Sequence, residues 1–300
     1  MDLQYTITEK GIKIDKVPEQ TSIVLIPETI DDIPVIELGA YALAESETEE
    51  LHLPRSIEKI GAYACYNCEQ LKRIFCHSRI SDIGTGVFTG IKQVEVLDFT
   101  IWNEERSCLQ ELLNELRQTL RVRIHGDEEA RLIFPDYYEE MVENTPARIL
   151  YIETHGCGHR YRYCFEKRKF QYREYDQLFY HAQVQTPELL VIELAIGRLV
   201  YPYGLTKEHE LMYRTYIASH WQAAGTLILR TDCKPAYRWN NLDRGLMPWF
   251  AGQFITDPGQ VITLAEIAQQ EGHAEAVSWL MNFKHETFAA AETRRRRFEL

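Results

Sequence analysis

The chain has 300 residues, with 45 Asp and Glu against 33 Lys and Arg and a formal net charge of -12, which argues against general attraction to nucleic acid or an anionic membrane. Hydrophobic content of 45% and charged content of 26% are ordinary for a globular protein with room for two domains. No apolar run is long enough for a membrane span or a leader, and seven irregularly spaced cysteines form no secreted disulfide framework, so the cytoplasm is the expected compartment.

From the N-terminus, a ladder with a period of about 23 residues fills the first hundred positions. Leu51, Leu53, Ile57, Ile60 and Gly61 recur as Ile74, Cys76, Ile80, Ile83 and Gly84, and the strand positions return as Val94, Leu97 and Phe99. Short apolar segments, broken at Pro54 or at a polar turn, predict one strand per repeat. Gly39, Gly61 and Gly84 stand where a side chain would obstruct a tight turn or the packing of one coil on the next. Cys65 and Cys68 have redox or zinc spacing, but the register puts Cys65 at the position of Leu43 and Phe88, and Cys68 at that of Ile91. They read as core fillers. The first hundred residues carry 17 Asp and Glu against 9 Lys and Arg. Solubility explains that acidic face, with steering of a basic partner as the second explanation.

The motifs Leu38-Gly39-Ala40-Tyr41-Ala42-Leu43, Ile60-Gly61-Ala62-Tyr63-Ala64-Cys65 with Cys68 and Leu71, and Ile83-Gly84 through Phe88 resemble the BspA-like leucine-rich repeat family. Ile23 to Pro27 followed by Ile33-Pro34-Val35 is similar to that family's usual first repeat. The resemblance covers roughly residues 5–100. It implies a parallel solenoid with one short strand per coil, used for binding, in a bacterial-type protein.

Residues 101–134 read as a cap on this solenoid. Trp102, Cys108, Leu109, Leu112, Leu113, Leu116 and Leu120 recur at helical steps and predict an amphipathic helix over 102–120. Val122 to Ile124 and Leu132 to Phe134, separated by a polar turn, predict a small hairpin.

Residues 135–300 read as a mainly α-helical, repeat-like domain. Helices are expected over 137–144, 147–154, 187–200 and 207–229, punctuated by Thr145-Pro146, Gly204, Gly225 and Pro235. Thr263 to Ala268, Glu271-Gly-His-Ala-Glu-Ala-Val277 and Trp279-Leu280 resemble the helix–turn–helix of a single ankyrin repeat. The fold class is therefore α+β, a short leucine-rich β-solenoid followed by helices.

Three features bear on chemistry. His155, Cys157, His159 and Cys164 are the best metal candidates, since imidazole and thiolate hold zinc, although the spacing matches no standard knuckle. An ordinary glycine-rich turn is the preferred explanation, and a Cys157 nucleophile lacks an evident orienting acid. Residues 159–175 interleave basic groups with aromatic rings. Arg160, Arg162, Lys167, Arg168 and Lys169 with Tyr161 and Tyr163 would suit single-stranded nucleic acid or an acidic peptide. A two-stranded hairpin with its aromatic face inward explains them better. Tyr201, Tyr203, Trp239, Trp249 and Phe250 read as packing anchors, and Arg294 to Arg297 as a solvated tail.

Phosphate-loop, dinucleotide, His-Glu-x-x-His and Gly-x-Ser-x-Gly signatures are absent. The expected function is a non-enzymatic scaffold or adaptor that binds another protein or peptide, with no cofactor expected. The alternatives are a metal-dependent (zinc) or cysteine-based enzyme or regulator centred on 155–164, and a nucleic-acid binder through 159–175.

Overall fold

The structure, a computed structural model, describes residues 3–18, 20–102, 107–127, 129–145, 148–234 and 240–298, with no side-chain detail at Asn144 or beyond 288. It divides into two compact units, Met1–Thr186 with Tyr201–Thr206, and Pro187–Val200 with Lys207–Leu300.

The first unit begins as a solenoid. Strands β1 (Gln4–Ile7), β2 (Ile12–Lys16), β3 (Ile23–Leu25), β4 (Thr29–Ile30), β5 (Ile33–Leu38), β6 (Glu50–His52), β7 (Lys59–Ile60), β8 (Arg73–His77), β9 (Asp82–Ile83) and β10 (Val96–Ile101) build two sheets. One has the order β1-β2-β5-β7-β9. The other runs β3-β6-β8-β10 and continues into β11 (Leu120–Gly126) and β12 (Ala130–Phe134). Five strands of the second sheet, β3 to β11, are parallel and in register, so Val24, Leu51, Ile74, Leu97 and Val122 form one buried column. Side chains alternate across a strand, which is why apolar residues two apart face one interior.

A third side of each coil carries the glycine motifs. Tyr41 N–H donates to Ala62 O, Leu43 to Ala64 and Glu45 to Tyr66; Tyr63 donates to Thr85, Cys65 to Val87 and Asn67 to Thr89, at 2.7–3.3 Å. This ladder buries Leu43, Cys65 and Phe88 at one position, and Cys68 and Ile91 at another. The Cys68 S–H donates to Leu43 O at 2.9 Å. Both cysteines are core groups, as the repeat register requires. A Cβ on Gly61 would collide with Ala40 N, and one on Gly84 with Ala62 N. Successive coils meet there without space for a side chain.

The cap differs from the expected 102–120 helix. Strand β10 runs to Ile101, residues 103–106 lie outside those described, and only α1 (Leu109–Glu115) is helical. Parallel strands need a crossover, and α1 supplies it between β10 and β11, burying Leu109, Leu112 and Leu113. Leu120 is the start of β11 rather than the end of a helix. Trp102 instead lies beneath the Arg55 guanidinium, 4.7 Å from its ring centroid. The expected hairpin is present as β11 with β12, antiparallel, with every β12 residue buried.

Residues 137–144 and 148–154, the described part of the two helices expected over 137–144 and 147–154, are not helical. They form an antiparallel pair, β13 (Tyr138–Asn144) and β14 (Ile149–His155), in a sheet of their own. The helical spacing of their apolar residues has no packed surface to meet. Ile149 to Ile152 is instead a run of β-favouring residues.

The expected hairpin over 159–175 is reduced to two residues per strand, β15 (Phe165–Glu166) and β16 (Lys169–Phe170), with Lys167 and Arg168 at positive φ in its turn. Helices α2 (Gly158–Arg162), α3 (Tyr172–Gln177) and α4 (Phe179–Gln185) take up the flanking sequence. Tyr201 and Tyr203 pack in this unit, Tyr201 beneath the buried Arg131 at 4.2 Å and Tyr203 against Tyr172.

The second unit is helical: α5 (Glu188–Val200), α6 (Lys207–Ser219), α7 (Trp221–Cys233), α8 (Met247–Phe254), α9 (Pro258–Gln270) and α10 (Ala274–Phe298). Helix α5 is buried on all sides from Val191 to Leu199, the signature of a central helix. Buried Glu193 on α5 accepts the Asn241 N–H. The single helix expected over 207–229 is two helices. His220 Nδ1–H donates to Tyr216 O at 2.8 Å, satisfying a terminal carbonyl where α6 ends. Helix α9 starts in a capping box, Asp257 with Gln260, and Pro258 occupies the first turn. Helices α9 and α10 join through Gly272 at positive φ. Nothing beyond this helix–turn–helix form supports the ankyrin resemblance, and α10 extends to 25 residues. Phe250 is buried and Trp249 lies against Phe254. Trp239 and the side chains of Arg294 to Arg297 lie outside the described residues.

Candidate interaction surfaces

The repeat glycine motif places tyrosines outward along the edge of the stacked loops. Tyr41 and Tyr63 occupy the same position in successive coils, both at positive φ, 57° and 55°. Non-glycine residues seldom hold this conformation, and the stacked backbone ladder fixes it. Their rings stack at 5.4 Å, and Tyr66 meets both edge-on at about 6 Å. In the next coil Gly86 takes the position, and a Cβ there would come within 2.6 Å of the Tyr63 ring. The tyrosine row therefore ends where Gly86 makes room for it.

Beyond that coil the loop edge opens into a cleft of about 680 Å³ lined by Phe88, Lys92, Arg117, Asp136, Tyr138 and Glu139, among others. Arg117 donates to Glu139 at 2.9 Å and lies 5.5 Å above the Tyr137 ring. Apolar walls and charges of both signs suit a polypeptide better than a small apolar ligand.

The four metal candidates are not gathered into one ligand set. His155, at the end of β14, stacks on Tyr138 at 4.6 Å, with Nε2 3.6 Å from Glu140. His159 packs against Tyr137 and Tyr163. Cys157 is buried with Sγ 3.4 Å from Thr186 Oγ1, and burial pushes its thiol up. Cys164 donates to Arg160 O at 3.7 Å, and burial pushes its thiol up to about 12. Neither sulfur is an activated thiolate. Among the described residues no three His, Cys, Asp or Glu side chains come together as a metal site.

His155, His159 and Arg160 do share the walls of a polar cleft of about 550 Å³ with Thr154 and Gln185. Arg160 donates to His181 Nε2 at 2.6 Å, and desolvation, with the nearby guanidinium, holds that imidazole below its ordinary pKa.

Of the seven basic and aromatic partner-binding candidates, Tyr161 and Arg162 are buried and unavailable to a partner. Arg162 is a structural staple. Its Nε donates to Leu113 O and Leu116 O, Nη1 to Pro135 O and Gly158 O, and Nη2 to Leu116 O and Gln118 O, at 2.6–3.1 Å. It thereby satisfies the carbonyl end of α1 and ties it to α2 and the exit of β12. Arg160, Tyr163, Lys167, Arg168 and Lys169 are exposed, and Arg168 pairs with Glu111 at 2.9 Å. Phe170 turns inward against Phe134 and Tyr175. The basic side is thus solvated and the aromatic side packed.

Two surface features escaped the sequence. The hairpin β13–β14 is exposed along nearly its whole length, and Tyr41 with Tyr63 forms an outward row. The second had a visible signal, since a tyrosine stands two residues after both Gly39 and Gly61.

Residues 23–110 match the family described as the BspA type leucine rich repeat region, in six copies. The solenoid is therefore a BspA-type repeat region. Among solved structures, the chain is similar to a leucine rich repeat protein of T. pallidum, at 18% identity over 32% of this chain and 68% of that chain, with a TM-score of 0.23. No curated protein matches the chain. Among the described residues, no helix is long and apolar enough to cross a membrane.

Proposed function

We propose that this protein is a non-enzymatic interaction scaffold whose repeat region binds a protein or peptide along its loop edge. The carrying observation is the row of Tyr41 and Tyr63, held outward by positive-φ backbone, with Tyr66 packed edge-on against both and a cleft of mixed charge beside it. Tyrosine is enriched among residues that dominate binding energy, because a rigid ring buries much area at little entropic cost. The repeat family supports the same use, since leucine-rich solenoids serve chiefly as binding surfaces. The acidic balance of the first hundred residues favours a partner with basic groups at the rim. All seven cysteines are free and six are buried, which supports a reducing compartment such as the cytoplasm.

A photo-crosslinking residue at Tyr41 tests the proposal in native lysate. It should trap one partner reproducibly, whereas the same residue at the exposed α6 position Leu211 should not. Tyr63→Ala should then weaken the purified pair by about 2 kcal/mol, near thirtyfold. Equal trapping at both positions, or an affinity indifferent to Tyr63, would remove the loop edge as the binding surface.

A further inference from the structure

Hairpin β13–β14 buries little of itself. Opposed pairs put Met141 with Ile152 and Glu143 with Leu150 on one face, and Val142 with Tyr151, beside Ile149, on the other. Each face thus carries an apolar centre. Met141, Ile149, Leu150, Tyr151 and Ile152 are 47–70% exposed. Both faces of the hairpin present clustered apolar side chains to solvent, unlike the scattered apolar groups of an ordinary surface. A two-stranded hairpin alone is at best marginally stable in water. Among the described residues neither outer edge has a neighbouring strand, so each offers backbone N–H and C=O groups to one.

The charges distinguish the two edges. Strand β13 carries Glu139, Glu140 and Glu143 within seven residues. Like charges of this kind protect an edge from pairing with its own copy. Strand β14 carries a single carboxylate, Glu153, near one end, and Arg148 precedes the other. Antiparallel pairing of two β14 strands would bring the Arg148 end of each to the Glu153 end of the other. That edge is self-complementary in charge and apolar in its middle, which selects an identical strand as its occupant.

We propose that β14 pairs edge to edge, antiparallel, with β14 of a second copy of this chain. The product is a four-stranded sheet with both β13 strands outside, and a dimer with the two-fold symmetry commonest among homo-oligomers. The axis stands perpendicular to the sheet, so opposed residues share a face. Centring on Tyr151 sets Tyr151 against its own copy, Leu150 against Ile152 and Ile149 against Glu153, with Arg148 opposite Thr154 and so one position from Glu153. Centring on Leu150 would oppose Arg148 to Ile152, and centring on Ile152 would oppose Tyr151 to Glu153. The Tyr151 centre is the favoured register, because it alone pairs the two aromatic rings, and it sets Arg148 one position from Glu153 of the other copy. This pairing goes beyond the loop-edge binding proposed above and does not rest on it.

Sedimentation velocity of the full chain over the micromolar range, with hydrogen exchange at the β14 amides, tests the pairing. The wild-type chain should dimerise, and the β14 amides should exchange more slowly as concentration rises. Tyr151→Lys and Tyr151→Glu should each weaken association at least about tenfold, because each sets a charge against its own copy. Mixing the two variants in equal amounts should restore the dimer. Glu143→Lys, on the outer strand, should change association by no more than about twofold. Tyr151 lies at the surface, and far-ultraviolet circular dichroism of each variant confirms folding. A wild-type chain that stays monomeric, a dimer that survives both Tyr151 changes, or a mixture that recovers nothing would each overturn the proposal.

Discussion

At the scale of single residues, Arg162 shows how a charged group becomes part of a core. Burial pushes its guanidinium down to about 10, so it stays charged at neutral pH while six hydrogen bonds to carbonyls replace its hydration. Arg162→Met should cost more than about 3 kcal/mol in chemical denaturation, because several buried acceptors lose their donor at once. Arg162→Lys should recover less than half of that, since one ammonium cannot span carbonyls from three elements. His77 makes the opposite bargain. Its Nε2–H donates to Pro54 O at 2.6 Å while Nδ1 is buried without a partner, and desolvation holds its pKa below the ordinary 6.5. The unfolded chain therefore binds a proton first as pH falls. Stability from neutral His77 is fully present above the unfolded value and is lost as pH falls through 6.5 toward the folded one. Urea unfolding between neutral pH and about pH 5 should show a loss on the order of 1 kcal/mol in the wild type that His77→Gln lacks. Equal pH slopes in the two proteins would contradict this.

At the scale of elements, the coils are set by where backbones touch. Gly84 packs on Ala62 and Gly61, with Ala62 Cα and Gly61 C both 2.6 Å from the point a Cβ would occupy. Gly84→Ala should therefore destabilise the solenoid by about 2–3 kcal/mol and speed exchange of the Tyr63 amide, which bonds the next coil at Thr85. Gly252→Ala is the control, because a Cβ there meets nothing within 4 Å and alanine favours helix α8. This contact logic also explains what was legible in the sequence. Coils repeat the same neighbours every turn, so Cys65 could be assigned to the core from Leu43 and Phe88 alone. The same register holds the signal of the tyrosine row, Tyr41 and Tyr63 two residues after Gly39 and Gly61, although their outward direction came only with the structure. Hairpin β13–β14 has no such constraint. Its apolar residues face no core, so their spacing carried no reliable period and suggested helices. The stretch 159–162 misled differently, because a charged residue such as Arg162 enters a core only through carbonyls supplied by distant segments. For the same reason the helix expected over 102–120 shrank to α1, since the chain had to leave room for the parallel strand β11.

At the scale of the whole molecule, the chain passes between the two units three times, because Tyr201–Thr206 returns to the first unit between α5 and α6 of the second. That six-residue return has a structural task. Tyr201 covers buried Arg131 on β12 at 4.2 Å, and Tyr203 meets Tyr172 at the start of α3. Removing the rings would expose a guanidinium held in a strand whose every residue is buried. The first unit should therefore depend on a segment that follows it by fifteen residues or more, and a chain ending at Thr186 would lack that segment. Replacing 201–206 by a Gly/Ser linker of equal length separates this dependence from simple tethering, since α5 stays joined to α6. Hydrogen exchange should then accelerate at the β12 and α3 amides by about 2 kcal/mol of lost protection, the scale of a desolvated cation–π contact with its ring packing. Exchange in α7 and α9, which pack on each other within the second unit, should stay unchanged. Uniform acceleration of both units would show that the return segment serves the fold as a whole, and unchanged exchange in β12 would show that Arg131 does not depend on Tyr201.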